Sequence, residues 1–425
     1  MLTPNGYKQR LIEKQLDKYL EIFGAICIEG PKYCGKTWTA LSRSKSVANI
    51  GDPTNNFQTR SQAQINPAFV LEGNHPRLVD EWQEVPSLWD AVRYYCDKNI
   101  QKGLYVLTGS ATPKHKGILH SGTGRIARIK MNTMSLFETG DSSAEVSLIQ
   151  IFQDNLEPIA TGEVDLNDLI YYVVRGGWPE SINMPNDLAT HLPKEYLNSV
   201  VNEDLIKVDG VKRNGRKVRA LLHSLARNES TTASNATLIK DMANISGEQI
   251  DTKTIADYIN ALDLVFLLDN VPSFNPSLRS SRRTLKADKR HFVDTSLAVA
   301  AMGATPEMLF NDLQTFGFLF EGLCLHDLKI YAEYNGGKFF HYRDSQNKEA
   351  DAIIALEDGR WAAFEIKLGA HQIENAAKNL LALKKTFTKE SSNPPCALCV
   401  ICGMSNMAHK REDGVYVLPI TALRP

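Results

Sequence analysis

A glycine, four intervening residues, and then glycine, lysine and threonine form the most distinctive spacing in this 425-residue chain, GPKYCGKT from Gly30 to Thr37. Glycines let backbone N–H groups turn inward around a phosphate, and a following helix adds its positive dipole end. Lys36 is expected to reach the β- and γ-phosphates of ATP, and the Thr37 hydroxyl to bind Mg²⁺. The residues predicted to contact the nucleotide are Gly30, Pro31, Lys32, Tyr33, Cys34, Gly35, Lys36, Thr37, Trp38 and Ser110.

The sequence on both sides of this loop fits the P-loop motif. Residues 24–30, GAICIEG, are a short apolar run that is typical of a buried strand in a parallel sheet. A helical pattern, WTALSRSKS, follows at once. The order of strand, glycine-rich loop and helix is the context that the motif requires, whereas a chance glycine loop would not need it.

An acidic pair ends a second apolar segment, RLVDEWQ at 77–83. In P-loop ATPases such a strand delivers one carboxylate to the magnesium shell, and a neighbouring glutamate can polarise the attacking water. We therefore assign Asp80 to Mg²⁺ and Glu81 to water activation. The pair is common by itself, and its position downstream of the P-loop makes it specific.

A third strand, GLYVLTGS at 103–110, ends in polar residues. Thr108 or Ser110 could sense the γ-phosphate from beside the acidic strand, or the segment could be a simple strand-to-loop turn. Further on, Arg125 is the first candidate and Arg128 the second for a guanidinium that stabilises the γ-phosphate, an effect of about 10³ to 10⁵ in rate. The alternative is a solvated arginine on a strand. If Arg125 acts in trans, the chain forms a homo-oligomer through its ATPase domain.

The middle of the chain is predicted to be helical. Amphipathic helices fill 148–207 and are interrupted at RGGWPES, where Gly176-Gly177 can end a helix and Pro179 prevents its resumption. From Arg216 to about Phe274, three helices and a strand segment indicate a winged helix, with Asp251 or Thr252 capping the third helix.

Two segments of this region could contact DNA. The third helix of the winged-helix segment carries Asp251 and Asp257 beside Lys253, and carboxylates repel phosphates, so packing or protein contacts are the alternative to DNA reading. The basic run RSSRRTLKADKR at 279–290 could neutralise phosphates or be a solvated loop.

A charged set lies in the C-terminal strands DAIIALEDGRWAAFEIK. A two-residue turn at Asp358-Gly359 would put Asp351 and Glu365 on opposite faces of the hairpin. A three-residue loop, 357–359, with Gly359 in the left-handed conformation sets Asp351 directly across from Glu365, with Lys367 on the same face. We expect the three-residue loop.

That cluster would suit metal-assisted hydrolysis of a phosphodiester. Asp351 and Glu365 would bind Mg²⁺, which keeps waters that can attack, and Lys367 would stabilise the developing negative charge. Glu321, on a preceding helix, could complete the metal shell. The alternative is a surface hairpin with ordinary charges.

The motifs GPKYCGKT, LVDEWQ, LTGSA and SGTGRIARI–MSLFETG together resemble the AAA-type ATPase domain of a large prokaryotic family. Members of that family carry a C-terminal region that resembles PD-(D/E)XK nucleases, and the resemblance covers nearly the whole chain. It implies the nuclease pattern at Asp351, Glu365 and Lys367, with Glu321 as the helix glutamate and Arg343 nearby. An arginine often stands in the family at the position of Lys32, a departure that leaves the phosphate-binding residues intact.

Composition and charge limit the classes of protein to which this chain could belong. The net charge of −1 gives no global attraction to nucleic acid or an anionic membrane, so any DNA contact must come from local patches. No apolar run approaches the roughly 20 residues that span a bilayer, and the N-terminus lacks a signal-peptide core. The seven cysteines show no paired framework, so we expect a cytoplasmic protein with reduced thiols.

These patterns predict an α/β protein in which a P-loop AAA-type parallel sheet with a helical lid is followed by a winged-helix-like domain and a C-terminal α/β PD-(D/E)XK-like domain. The predicted boundaries are 1–140 for the ATPase domain, 141–210 for the lid, 211–275 for the winged-helix-like domain and 276–425 for the nuclease-like domain. Two functions follow. One is an ATP-regulated, Mg²⁺-dependent nuclease acting on DNA; the other is an ATP-driven switch or adaptor whose inactive nuclease-like domain only binds nucleic acid or a partner. A small-molecule kinase is a third option that the multi-domain layout disfavours.

Overall fold

The apolar run before the P-loop forms a strand in the middle of a parallel sheet. In the computed structural model, which describes residues 1–111, 118–247, 249–275, 288–344, 348–390 and 393–425, this sheet has the order β2-β3-β4-β1-β5. All of its pairings are parallel, so the carboxyl ends of its strands meet at one edge. The strands are β1 (Ala25–Glu29), β2 (Ser46–Asn49), β3 (Arg77–Asp80), β4 (Tyr105–Gly109) and β5 (Ile126–Lys130).

Alternating side chains of this sheet enter two separate hydrophobic clusters. Ala25 and Cys27 of β1 pack with Val79 and Leu107 in one cluster. Ile26 and Ile28 pack with Leu78 and Val106 in the other. Both faces of the sheet are therefore covered, as a parallel sheet with crossover helices requires. The near-continuous apolar strands that this burial demands are what the sequence shows.

The helices of the described chain are short in the first half and longer towards the end. In chain order they are α1 (Glu13–Ile22), α2 (Lys36–Leu41), α3 (Thr54–Ile65), α4 (Ala68–Leu71), α5 (Ser87–Lys98), α6 (Leu136–Thr139), α7 (Leu148–Phe152), α8 (Leu166–Arg175), α9 (Asn186–Ala189), α10 (His191–Ser199), α11 (Leu205–Asp209), α12 (Gly215–Arg227), α13 (Asn235–Ser246), α14 (Thr252–Leu264), α15 (Thr295–Met302), α16 (Pro306–Asn311), α17 (Leu313–Tyr334) and α18 (Ile373–Glu390). No described helix has the length and apolar character that crossing a membrane would demand.

The described chain divides into two units. The first contains the parallel sheet and comprises Met1–Thr133, Asn202–Arg213 and Ile259–Leu267. The second comprises Met134–Val201, Asn214–Tyr258 and Leu268–Pro425.

The second unit contains a mixed sheet. Its seven strands have the order β10-β11-β12-β13-β15-β14-β7, and β12, β13 and β15 pair in parallel while their neighbours pair antiparallel. Two smaller pairs are β6 with β16 and β8 with β9. The strands of this unit are β6 (Val146–Ser147), β7 (Ile159–Ala160), β8 (Leu268–Val271), β9 (Lys289–Phe292), β10 (Lys338–Arg343), β11 (Glu349–Ala355), β12 (Trp361–Lys367), β13 (Ala397–Cys402), β14 (Met407–Lys410), β15 (Tyr416–Pro419) and β16 (Leu423–Arg424).

The predicted helix break at Gly176-Gly177 is confirmed. Helix α8 ends at Arg175, and Gly176 follows it with a φ of 69°. Pro179 then begins a short 3-10 turn. The backbone N–H of Gly177 donates to Asp294, and its carbonyl accepts from the N–H of Met134. This glycine therefore joins the α8 terminus to two other segments of the unit.

The helices predicted between Arg216 and Phe274 are also present. The Asn214 side chain caps α12, the Ser234 side chain caps α13, and Asp251 accepts from the N–H of Thr254 at the start of α14. The strand segment after α14 is β8, which pairs antiparallel with β9. Residues 279–287 of the predicted basic run lie outside the described residues; the run ends in β9 at Lys289 and Arg290.

The predicted loop between β11 and β12 is confirmed. Leu356 N donates to Arg360 O at 2.8 Å, which encloses a three-residue loop, and Gly359 has a φ of 87°. The register pairs Ala352 with Phe364 and Ala355 with Trp361. Continued by one residue, this register places Asp351 across from Glu365.

The close approach at Gly177 gives a test of this packing. A Cβ there would overlap the backbone of Met134, whereas a Cβ on Gly317 in α17 would meet nothing within 4 Å. We expect Gly177→Ala to lower the free energy of unfolding by about 2 to 4 kcal/mol. Gly317→Ala should raise it by about 0.5 to 1 kcal/mol because alanine is the better helix former. Urea unfolding of both variants measures the difference, and equal effects would contradict the described packing at Gly177.

Candidate functional site

The P-loop backbone is shaped by residues with positive φ. Gly30 has a φ of 156° and Gly35 a φ of 99°, and a Cβ on Gly30 would overlap the carbonyl oxygen of Met131. Tyr33, between them, has a φ of 61°. Glycine is the residue that tolerates such conformations and close backbone approaches. The two glycines of the motif are therefore required by the geometry of the loop itself.

Lys36 and Thr37 occupy the start of α2, where the motif predicts them. The Lys36 side chain is buried, and its Nζ donates to the carbonyl oxygen of Pro31 at 2.7 Å, so the ammonium group lies against the loop. The Thr37 hydroxyl donates to Asp80 Oδ1 at 2.8 Å. The two predicted magnesium ligands thus lie within hydrogen-bond distance of each other, and their oxygen donors fit the hard cation.

A chain of hydrogen bonds links the ends of β3 and β4. The Thr108 hydroxyl donates to Asp80 Oδ1 at 2.6 Å and accepts from the backbone N–H of Glu81 at 3.1 Å. Glu81 has a φ of 57°, and its carboxylate accepts from Ser110 Oγ at 3.1 Å and from the Gln83 amide. The polar end of β4 therefore positions both members of the acidic pair.

Other predicted nucleotide contacts surround the loop. Cys34 is buried, with its Sγ directed at the carbonyl oxygen of Met131, whereas Tyr33 is 70% and Trp38 46% exposed. Lys32 forms an ion pair with Asp204. Tyr33 and Trp38 thus present aromatic surface to solvent at the P-loop and at the start of α2.

Arg10 is a residue of this site that sequence reasoning missed. It is buried, and its guanidinium donates to the carbonyl oxygens of Cys34, at 2.6 Å, and Asn132, at 2.9 Å. These contacts connect the P-loop to the segment after β5. No motif surrounds Arg10, and contacts this distant in sequence have no local signal.

The predicted arginine finger lies far from the phosphate-binding edge of its own chain. Arg125 immediately precedes β5. The first residue of β5, Ile126, pairs with Ala25, and its last residue, Lys130, pairs with Glu29, which lies beside the P-loop. Five residues of strand, roughly 16 Å, separate the two edges. Arg125 is instead paired with Asp97 at 2.6 Å. Arg125 is therefore too far from this edge to contact the γ-phosphate of its own chain, which leaves two interpretations: action in trans, or a solvent-exposed arginine without a role in catalysis.

Arg128, the second candidate, lies on the edge strand β5, with its side chain 38% exposed. Its guanidinium stacks on the Trp89 ring at 4.2 Å and pairs with Glu29. Burial raises the pKa of the Glu29 carboxyl, although Arg128 opposes the rise. This arginine has a structural partner on each side of its guanidinium.

The second unit brings the predicted nuclease-like residues into one charged cluster. Asp351 on β11, Glu365 and Lys367 on β12 and Glu321 on α17 all belong to it. Lys367 Nζ lies 2.7 Å from Glu365 Oε2 and 3.6 Å from Asp351 Oδ2. The three-residue loop described above produces this arrangement.

A fifth member, Lys289 at the start of β9, was not predicted. Its Nζ lies 2.7 Å from Glu321 Oε1 and 3.7 Å from Asp351 Oδ1. The basic run in the sequence marked this lysine only as one cation among several. Its position between two carboxylates depends on the pairing of β8 with β9, which the sequence does not reveal.

Burial perturbs the charged groups of this cluster. Desolvation, followed by repulsion from Asp351, raises the pKa of Glu321 to about 7 and that of Glu365 to about 7. Desolvation lowers the pKa of Lys367, but attraction to Asp351 and Glu365 outweighs it and the net shift is upward. The same balance, with Glu321 and Asp351 as partners, raises the pKa of Lys289. Both lysines therefore remain charged at neutral pH.

The predicted magnesium ligands of this cluster alternate with lysine side chains. The part of the chain that the structure describes holds no group of three or more His, Cys, Asp and Glu side chains placed to bind one ion. Lys289 separates Glu321 from Asp351, and Lys367 lies against Asp351 and Glu365. The carboxylates come together as predicted, but ammonium groups take the positions between them.

A cavity of about 390 Å³ opens beside the cluster. Its lining includes Lys289, Glu321, Asp351 and Arg343 together with the hydroxyl-rich segment 230–232. Arg343 Nε lies 3.8 Å from Glu349 Oε2. The cavity is polar and carries charges of both signs.

Comparison with known proteins decides the class of the first site. Residues 23–140 match the family described as AAA domain, which includes the P-loop, the acidic pair and the polar end of β4. Residues 23–140 form an AAA-type P-loop domain. The predicted α/β fold with a parallel P-loop sheet is thereby confirmed, and ATP is the ligand that this family implies.

Two further segments of the chain match domains of unknown function. Residues 166–308 match a domain of unknown function (DUF8612), and residues 316–423 match another (DUF4143). Uncharacterized proteins of Mycobacterium bovis and Mycobacterium tuberculosis are each 22% identical over 346 residues, which is 80% of this chain and 70% of theirs. None of these likenesses assigns an activity to the second unit.

Two solved structures also resemble parts of the chain. A Walker-type ATPase of Pyrococcus abyssi has a TM-score of 0.41 at 11% identity and covers 71% of this chain and 97% of its own. Drosophila ORC bound to DNA has a TM-score of 0.23 at 14% identity and covers 61% of this chain and 87% of its own. Scores this low do not establish a shared overall fold.

The hydrogen bonds of Thr108 can be tested by replacement. Thr108→Val keeps the shape of the buried side chain but leaves the Glu81 N–H and Asp80 Oδ1 without the hydroxyl. We expect a loss of about 1 to 3 kcal/mol in the free energy of unfolding together with slower ATP turnover. Urea unfolding and a steady-state phosphate-release assay measure the two effects. Thr108→Ser retains the hydroxyl and is the control; equal behaviour of both variants would contradict the role given to Thr108.

Proposed function

We propose that this chain is an ATP-driven switch in which the P-loop domain binds and hydrolyses ATP and its nucleotide state controls DNA binding by a nuclease-like C-terminal domain that does not cleave. The hydrogen-bonded group of Thr37, Asp80, Thr108 and Glu81 supports hydrolysis most directly. It joins the phosphate-binding loop to the acidic pair through groups of one unit.

The residues of the first site have separate tasks in this proposal. Backbone N–H groups from Gly30 to Thr37 bind the phosphates, and the Lys36 ammonium exchanges its contact with Pro31 for phosphate oxygens. A magnesium ion held by Thr37 and Asp80 would neutralise phosphate charge. Glu81, held by Ser110 and Gln83, orients the attacking water and accepts its proton.

Arg125 enters the proposal only across a subunit boundary. Its side chain is 50% exposed and lies at the sheet edge away from the P-loop of its own chain. In a homo-oligomer it could leave Asp97 for a neighbouring γ-phosphate, where a guanidinium stabilises the transition state. ATP turnover per chain would then rise with protein concentration.

The C-terminal charged cluster favours binding over cleavage. Glu321 and Glu365 are paired with Lys289 and Lys367 at 2.7 Å, and Asp351 lies 3.6 to 3.7 Å from both lysines. Metal-assisted hydrolysis needs carboxylate oxygens free for the cation. The adjacent cavity offers Arg343 and the hydroxyls of residues 230–232, which can contact a phosphate backbone. The winged-helix-like order of α12 to α14 and the strand pair β8–β9 is consistent with DNA contact as well.

Two substitutions test the ATPase assignment. Lys36→Ala should abolish turnover because the phosphates lose their cation, whereas Glu81→Gln should keep ATP binding and lower kcat by about 100-fold or more. Phosphate release and nucleotide retention on a desalting column measure the two properties. The exposed Glu72→Gln is the matched control and should behave as wild type. Normal turnover in Glu81→Gln would show that another group activates the water, and normal turnover in Lys36→Ala would refute the P-loop assignment.

DNA binding without cleavage is tested with full-length protein, plasmid and single-stranded DNA in Mg²⁺. We expect salt-dependent binding, because phosphate contacts release counterions, and an affinity that differs between ADP and a non-hydrolysable ATP analogue. The DNA should remain intact after long incubation on a gel. Cleavage that is lost in Lys367→Ala would establish a nuclease instead. Absence of DNA binding in every nucleotide state would point to a protein as the partner.

A further inference from the structure

Five charged side chains of the second unit form one alternating row. Glu321, Lys289, Asp351, Lys367 and Glu365 follow one another with N–O distances of 2.7, 3.7, 3.6 and 2.7 Å. The exposed fractions of these side chains are small, from 5% for Glu365 to 26% for Lys367. Each carboxylate therefore has an ammonium partner in a poorly solvated region, where such pairing offsets desolvation.

We propose that the Lys289 ammonium occupies the position between Glu321 and Asp351 that a divalent cation would require, so that the cluster holds no metal in the native protein. An ammonium is a compact charge with donors that rotate freely, and it can bind both carboxylates. A magnesium ion needs several oxygens at about 2.0 to 2.1 Å and would meet the ammonium at close range. The lysine and the metal are thus mutually exclusive occupants.

The oxygens of Asp351 are already engaged. Its Oδ2 accepts from the backbone N–H of Ile366 at 2.8 Å and faces Lys367, and its Oδ1 faces Lys289. A metal ligand set built on Asp351 would have to release one of these contacts. The register of β11 and β12 fixes the Ile366 contact. A cation bound between Asp351 and Glu321 would therefore have to displace Lys289, which contacts both carboxylates.

The backbone holds Lys289 in place. It pairs with Val271 across β8 and β9, and the next residue, Arg290, donates to the carbonyl oxygen of Ala233 and to Asn235. The side chain thus leaves an anchored strand directly beside α17. Displacing its ammonium would break the ion pair with Glu321 and leave a buried carboxylate without its partner.

This inference deepens the proposed non-cleaving role of the C-terminal domain. Its test measures metal binding and not DNA cleavage, so the two can fail separately. A protein that binds no metal at this cluster yet cleaves DNA would refute only the proposed function, whereas one that binds metal there yet leaves DNA intact would refute only the inference.

The experiment titrates nucleotide-free, full-length protein with Mn²⁺ and follows free Mn²⁺ by electron paramagnetic resonance. Each protein is compared with its own Asp351→Asn counterpart, which removes the contribution of the C-terminal cluster and leaves any contribution of Thr37 and Asp80 unchanged. We expect no difference between wild type and Asp351→Asn. Lys289→Gln should gain a site that Asp351→Asn removes, with an affinity at least about tenfold above wild type because the repelling charge is gone. Lys289→Arg keeps the cation and should gain none.

A wild-type site for Mn²⁺ that disappears in Asp351→Asn would overturn the proposal. So would a folded Lys289→Gln protein that binds Mn²⁺ no better than wild type. Circular dichroism and the unfolding midpoint show whether Lys289→Gln folds. If it does not, the comparison of wild type with Asp351→Asn decides the question alone.

Discussion

The nucleotide site depends on the hydrogen bonds that the carboxylate of Asp80 accepts. Its Oδ1 accepts one hydrogen bond from the hydroxyl of Thr37, at the start of α2, and another from the hydroxyl of Thr108, at the end of β4. Both bonds require the parallel order β3-β4-β1, because only then do the ends of three strands meet at one edge. The sheet topology, the P-loop and the acidic pair are therefore parts of one constraint.

Much of this site could be predicted from sequence because its determinants are local. The P-loop spacing specifies the backbone conformation, and Gly30 and Gly35 have the positive φ values that it requires. The length of the turn at 357–359 is also determined locally. This length sets the register of β11 and β12, which brings Asp351 and Glu365 together. In both places a few neighbouring residues determine the geometry.

Residues brought in from distant segments could not be predicted in the same way. Lys289 reaches Glu321 and Asp351 through a pairing of β8 and β9, and Arg125 lies at the far edge of the sheet because β5 runs parallel to β1. Neither fact follows from residue type or spacing. The resemblance to nucleases supplied acidic positions but contained no information on the lysine between them.

The contacts of Arg10 have a consequence for truncation of the N-terminal segment. The Arg10 guanidinium donates to the carbonyl oxygens of Cys34, in the P-loop, and Asn132, after β5. A side chain far from the P-loop in sequence thereby fixes one of its peptide groups. Shortening the stretch ahead of the first helix past Arg10 would remove this contact and leave the buried carbonyl of Cys34 without its donor.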